Sequence, residues 1–130
     1  MAKKFEGAKK KLLDKTTISR IVRTVPQHEG FHFFRDLGDP TGTVATSLAD
    51  FLEKMRNVDI HSVNFHFKRQ DFAKWIMGII GDAELSRRIS RIRKEAQGEG
   101  LREEIMRIVK GRLEELEGMQ TEAYTLNTRA

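Results

Sequence analysis

Apolar residues in this chain recur three and four positions apart in one segment after another, and the segments are cut at Pro26, Gly30, Gly81 and Gly98-Glu99-Gly100. That spacing lines side chains along one face of an α-helix, so it predicts a succession of short amphipathic helices packed through their stripes. Ile18, Ile21, Val22 and Val25 form the first stripe, with Thr16 or Thr17 as the cap and Pro26 as the stop. Leu48, Phe51, Leu52 and Met55 form the second, opened by Ser47 with Asp50 three positions on, close to a capping box. The widest stripe is Phe72, Trp75, Ile76, Ile79 and Ile80, for which Asp71 is a suitable N-cap. Gly81 can end that helix and Asp82 can cap the next, carrying Leu85, Ile89, Ile92 and Ala96. A last helix runs from Leu101 to about Glu117, with Leu101, Ile105, Ile108, Val109, Leu113 and Leu116 inward.

Two segments depart from this pattern. Phe31-His32-Phe33-Phe34 and the β-branched Thr43-Val44-Ala45-Thr46 flank the turn-forming Leu37–Gly42, which predicts a β-hairpin. Between Asp59 and Arg69 the periods of two and 3.6 compete, and a short helix capped by Asp59 or Ser62 is the preferred reading. The fold expected is α+β, predominantly helical, with about five helices and one short N-terminal hairpin. A chain of 130 residues fits one domain, read as a globular unit over 16–117 between a mobile basic arm, 1–15, and a frayed polar tail, 118–130. No apolar run reaches the roughly 18 to 20 residues of a membrane span and the start lacks a signal-peptide stretch, so the expected setting is the cytoplasm. The absence of cysteine excludes disulfides, thiolate zinc sites and cysteine nucleophiles.

Charge is unevenly distributed. Residues 1–25 hold eight Lys or Arg against Glu6 and Asp14, a net +6, whereas 26–83 sum to −2 and 84–130 to +1. Such an arm can displace counterions from a polyanion whatever its sequence. Nucleic acid or a nucleoprotein is therefore an expected partner, held by Lys9, Lys10, Lys11, Lys15, Arg20 and Arg23, with Arg87, Arg88 and Arg91 as helpers. The plainer alternatives are a solubilising terminus and, for the second cluster, a solvated helix face paired with nearby Glu.

Reactive motifs are scarce. Gly38–Thr43 lacks the Gly-Lys-Ser/Thr ending of a phosphate loop, no Gly-x-Ser-x-Gly occurs, and His28 with His32 straddle Gly30 instead of sharing a helical face. No metal, cofactor or catalytic residue is expected. The best polar cluster is His66, Arg69 and Asp71, just before Trp75. In the plain reading Asp71 caps a helix and His66 is a satisfied, half-buried ring. In the sharper one these residues and Trp75 line a small pocket for an anion or a sugar. Seven of the eight phenylalanines lie between Phe31 and Phe72, and core packing accounts for them better than a base-stacking platform does.

Phe31-His32-Phe33-Phe34, Thr41-Gly42, Ala45–Leu48, Phe51-Leu52, Phe65-His66-Phe67, Asp71-Phe72, Lys74-Trp75-Ile76 and Gly81-Asp82 come in an order that resembles an uncharacterised, mainly archaeal family of small domains of unknown function, over about residues 30–116. The resemblance implies a shared fold, no established activity and a joint importance of His66, Asp71, Trp75 and Asp82. The expected function is a non-enzymatic binding or regulatory module. A protein–protein or oligomerisation module is the alternative, and a small-molecule or enzymatic site at His66, Arg69 and Asp71 the next.

Overall fold

The structure, a computed structural model, describes residues 12–129, with side chains described as far as Thr121. Among them are six α-helices and one two-stranded antiparallel sheet: α1 (Lys15–Ile21), a 3-10 turn (Gln27–Glu29), β1 (Phe31–Asp36), β2 (Asp39–Ala45), α2 (Leu48–Asn57), α3 (Ile60–Lys68), α4 (Asp71–Trp75) continuing as a π-turn (Ile76–Ile80), α5 (Ala83–Ser90) and α6 (Gly98–Arg129). The fold is α+β and predominantly helical, with its hairpin towards the N-terminus.

Three of the six helices start at capping residues expected from the sequence. Ser47 accepts from the Asp50 amide, Asp59 from His61 and Asp82 from Leu85, each occupying an amide that the first turn would otherwise leave orphaned. Several boundaries differ from expectation: α5 stops at Ser90, leaving Ile92 and Ala96 of its expected stripe beyond it, and the turn expected over Leu37–Gly42 is shorter because β2 begins at Asp39. Asp14, not Thr16 or Thr17, caps α1 through the Thr17 amide, and the helix ends at Ile21, well short of Pro26. Lys15, counted with the arm, is thus the first residue of a helix. The last helix starts at Gly98, whose amide is taken by the Asn64 side chain, and it passes through Gly118 to Arg129 with Met119 buried. The tail expected to fray at 118 is therefore helical backbone.

In the hairpin, Phe31 pairs with Ala45 and Asp36 with Asp39, leaving Leu37-Gly38 as a two-residue turn. Gly38 takes φ +71°, the left-handed conformation such a turn demands. Gly30, before β1, has no room for a side chain: a Cβ there would lie 2.7 Å from the Ala45 carbonyl oxygen. Phe31, Phe33 and Ala45 are buried on helices. β1 packs on α3 and β2 on α2, and both helices also contact α6, so α2 and α3 form a middle layer between hairpin and long helix.

Two buried arginines fasten α6 to that layer. The Arg102 guanidinium donates to the Met55 and Val58 carbonyls at 2.7 and 2.8 Å, closing the C-terminal end of α2, and pairs with Glu99. Arg112 makes a two-pronged bond to Asp82, Nε to Oδ2 at 2.8 Å and Nη2 to Oδ1 at 3.0 Å, with both side chains almost fully buried. Asp82 thus caps α5 and holds α6 at once. Asp82→Ala leaves Arg112 without its buried counter-charge and α5 without its cap, and the expected loss is about 3–5 kcal/mol. Urea denaturation of wild type and variant measures it, and a loss below about 1 kcal/mol contradicts this role.

Candidate functional site

Where β1 crosses α3 and the start of α4, the described residues leave an open hollow of about 410 Å³. Its inner wall is Phe31, Phe34, Phe65 and Trp75, and its polar groups include His66, Arg69 and Asp71. The four residues singled out from sequence, His66, Arg69, Asp71 and Trp75, all line it.

The geometry follows from the corner between α3 and α4. Gln70 adopts φ +62°, a left-handed conformation that a side chain other than glycine takes only at some energetic expense. The reversal there brings Asp71 back beside His66. Asp71 is consequently not the N-cap of the Trp75 helix: Gln70 occupies that position, and Asp71 is the first helical residue. Its side chain is directed to the site. Asp71 Oδ2 receives His66 Nδ1 at 2.8 Å and Arg69 Nε at 2.9 Å. The Arg69 guanidinium carbon also stands 5.0 Å from the centre of the Phe65 ring, a cation–π contact.

The partners of His66 determine its tautomer. The Phe34 amide donates to His66 Nε2 at 2.8 Å, and a backbone N–H can only donate, so Nε2 carries the lone pair and Nδ1 carries the proton given to Asp71. The ring is 5% exposed and packed near Phe31, Phe65 and Phe72. Burial pushes its pKa below the ordinary histidine value; the Asp71 bond opposes this and the Arg69 charge assists it. The protein therefore holds His66 neutral, with both ring nitrogens engaged. Trp75 is similarly committed, its indole N–H donating to the Glu29 carbonyl at 2.9 Å.

The other expected site residues are dispersed. Lys9, Lys10 and Lys11 lie outside the described residues. Lys15 and Arg20 are exposed on α1, with the Arg20 guanidinium resting near Gly81. Arg23 serves inside the fold, its guanidinium donating to the Ile79 carbonyl at 2.8 Å and the Ile80 carbonyl at 3.3 Å, which the π-turn leaves open. Arg87 and Arg88 pair with Glu84, and Arg88 also forks onto Glu115 with two 3.0 Å bonds. Arg91 is exposed at the end of α5. Asp82, grouped with His66 by the resemblance, serves Arg112 and does not line the hollow. Among the described residues no three His, Asp or Glu side chains are placed to share a metal ion, and no helix is long and apolar enough to cross a membrane.

Sequence reasoning missed the two buried arginines and the Phe34 amide as a partner of His66. Arg102 reads as part of a polar helix face, and a main-chain donor 32 residues away leaves no sequence signal. No family model, curated protein or solved structure matches the chain.

Because the folded state disfavours protonated His66 while an unfolded chain takes up that proton near pH 6.5, acid favours unfolding: stability falls as pH drops below about 6.5 and is insensitive to this group above it. His66→Gln keeps an acceptor for the Phe34 amide and cannot titrate. Urea midpoints between pH 7.5 and pH 5 should decline less steeply in the variant than in wild type, and equal slopes contradict the assignment.

Proposed function

We propose that the protein is a cytoplasmic, non-enzymatic binding module whose ligand is a small molecule seated in the hollow between the hairpin and the α3–α4 corner. The observation carrying this reading is the pairing of an open aromatic cavity with a fixed polar floor, in which Asp71 ties a half-exposed Arg69 to a buried His66. Small-ligand sites have this form, mostly apolar walls with a few convergent polar groups, and about 410 Å³ falls at the lower end of their usual range. The engagement of both His66 nitrogens supports binding over catalysis, since a general base must have a lone pair within reach of the proton it removes. Titrating isotope-labelled protein with a fragment set of small acids, amines and neutral aromatics tests the proposal. Shifts should concentrate on the amides of Phe34, Phe65 and Arg69, and shifts scattered over the surface, or none, would overturn it.

A second role is supported by charge. Residues 1–11 contain five lysines and one glutamate, a net +4 out of the whole chain's +5, which leaves 12–129 with +1. Internal use of Arg23, Arg88, Arg102 and Arg112 reduces the free cations of the folded part further. We propose that polyanion binding, to nucleic acid or a nucleoprotein, resides in Lys9, Lys10 and Lys11 together with Lys15 and Arg20. Retention on a DNA or RNA column should fall steeply with salt and disappear when residues 1–11 are deleted. Salt-sensitive retention that survives the deletion would move the polyanion site onto the folded part.

A further inference from the structure

The hollow's polar and aromatic groups are specific enough to name a ligand class. Resting on the small-molecule reading above, we infer that the site takes a small aromatic monocarboxylate, with its carboxylate on the outer edge of Arg69 and its ring between Phe34 and Phe65.

Arg69 spends Nε on Asp71 and packs its guanidinium against Phe65, while neither Nη atom has a hydrogen-bond partner among the described residues. An arginine fixed by its Nε and one face is preorganised, and the two Nη donors form the fork that a carboxylate matches with two parallel bonds. The side chain is 50% exposed, so that fork is accessible. Phe34 and Phe65 stand at 77° and 72° to the His66 ring, with centroids 6.4 and 5.0 Å away, and both remain half-buried and line the hollow. Walls of this kind favour a flat apolar body offset-stacked or edge-on against them.

Charge narrows the class. Arg69 already occupies the cation position by the Phe65 ring, so an ammonium ligand there would meet a like charge. Asp36 and Asp71 both border the hollow, and a dianionic phosphate would feel each carboxylate twice as strongly as a monoanion does. Asp36 is exposed on the rim, and one of its oxygens is held by the Leu37 amide at 2.8 Å. Its repulsion of a monoanion is therefore screened but present.

Benzoate, benzylammonium and inorganic phosphate are the probes. The reporter is the indole N–H resonance of Trp75, the one tryptophan in the sequence and a residue of the cavity wall. Benzoate at millimolar concentration should shift that signal saturably, and phosphate should do so at least tenfold more weakly. Arg69→Lys keeps the charge but loses the fork and should weaken benzoate about tenfold. Asp36→Asn keeps the turn's acceptor and removes the repulsion, so it should tighten benzoate a few-fold. Tighter binding of benzylammonium, weakened in Asp36→Asn, would overturn the carboxylate class while leaving the pocket as a small-molecule site. Phosphate binding as tight as benzoate would remove the aromatic requirement. If no probe shifts Trp75, and the fragment set leaves Phe34, Phe65 and Arg69 unmoved as well, the small-molecule reading fails with it. Thermal melting of both variants close to wild type separates these effects from misfolding.

Discussion

A two-stranded ribbon cannot stand alone in water, because two strands bury too little apolar surface to offset the entropy of ordering them. In this protein the ribbon is secured by laying Phe31 and Phe33 on the helices. The Phe31 ring lies within 6 Å of Phe33, Phe51, Phe72, Trp75 and the His66 imidazole, each a ring-to-ring contact. Such pairs contribute about 0.5–1.5 kcal/mol each beyond the area they bury, so this cluster is what makes the hairpin a part of the fold. A buried polar tie, from the Phe34 amide to His66 Nε2, helps fix where along α3 the strand sits, and Arg35 adds an outer ion pair to Asp59 at the start of that helix. The hollow exists because the ribbon departs from the helices beyond that tie, taking Asp36, Leu37 and Gly38 to its rim.

The opposite side of the middle layer is organised by charge. α6 could slide along its apolar stripe, since such stripes specify registry only loosely. Arg102 and Arg112 reach into the fold at two separate levels and meet acceptors of fixed position, carbonyls at the end of α2 and the carboxylate that caps α5. A buried ion pair of this type is a weak source of net stability, because desolvation offsets the attraction, but breaking it is costly. Its contribution here is registry, which sets the helices against which the aromatic cluster packs. The folded part is nearly neutral because its acids almost balance its bases, and several of its arginines are engaged within the fold.

On the functions proposed above, the hollow and the lysine-rich segment would divide the chemistry between them. The hollow has aromatic walls and one oriented guanidinium, features of small-molecule sites. The segment carries net positive charge, which acts by long-range attraction that salt weakens. In the cavity wall His66, Asp71 Oδ2 and the Trp75 indole have their hydrogen bonds made within the fold, whereas the Arg69 Nη atoms have no hydrogen-bond partner among the described residues.

Local chemistry left Asp59 and Ser62 as rival caps and spread the hairpin turn over Leu37–Gly42, of which Asp39–Gly42 are strand. It alone specified the order of helices and hairpin, the Ser47 and Asp82 caps and the left-handed stop at Gly81. These depend on periodicity and on side chains bonding to backbone a few residues away, interactions contained within the segment itself. The segment 59–69 was ambiguous by period and became helical because the Asp59 cap and the burial of Val63, His66 and Phe67 on one face agree. His66, Arg69 and Asp71 could be grouped by their nearness in sequence, yet the role of Asp71 could not, because an aspartate before an apolar run is an equally good cap. Only the left-handed Gln70 turned it towards His66. The tertiary structure likewise decided that Arg102 and Arg112 are buried, that Arg23 closes the π-turn, and that His66 is a neutral acceptor. Each depends on a partner 30 or more residues away, and no local pattern encodes where a distant backbone group will be.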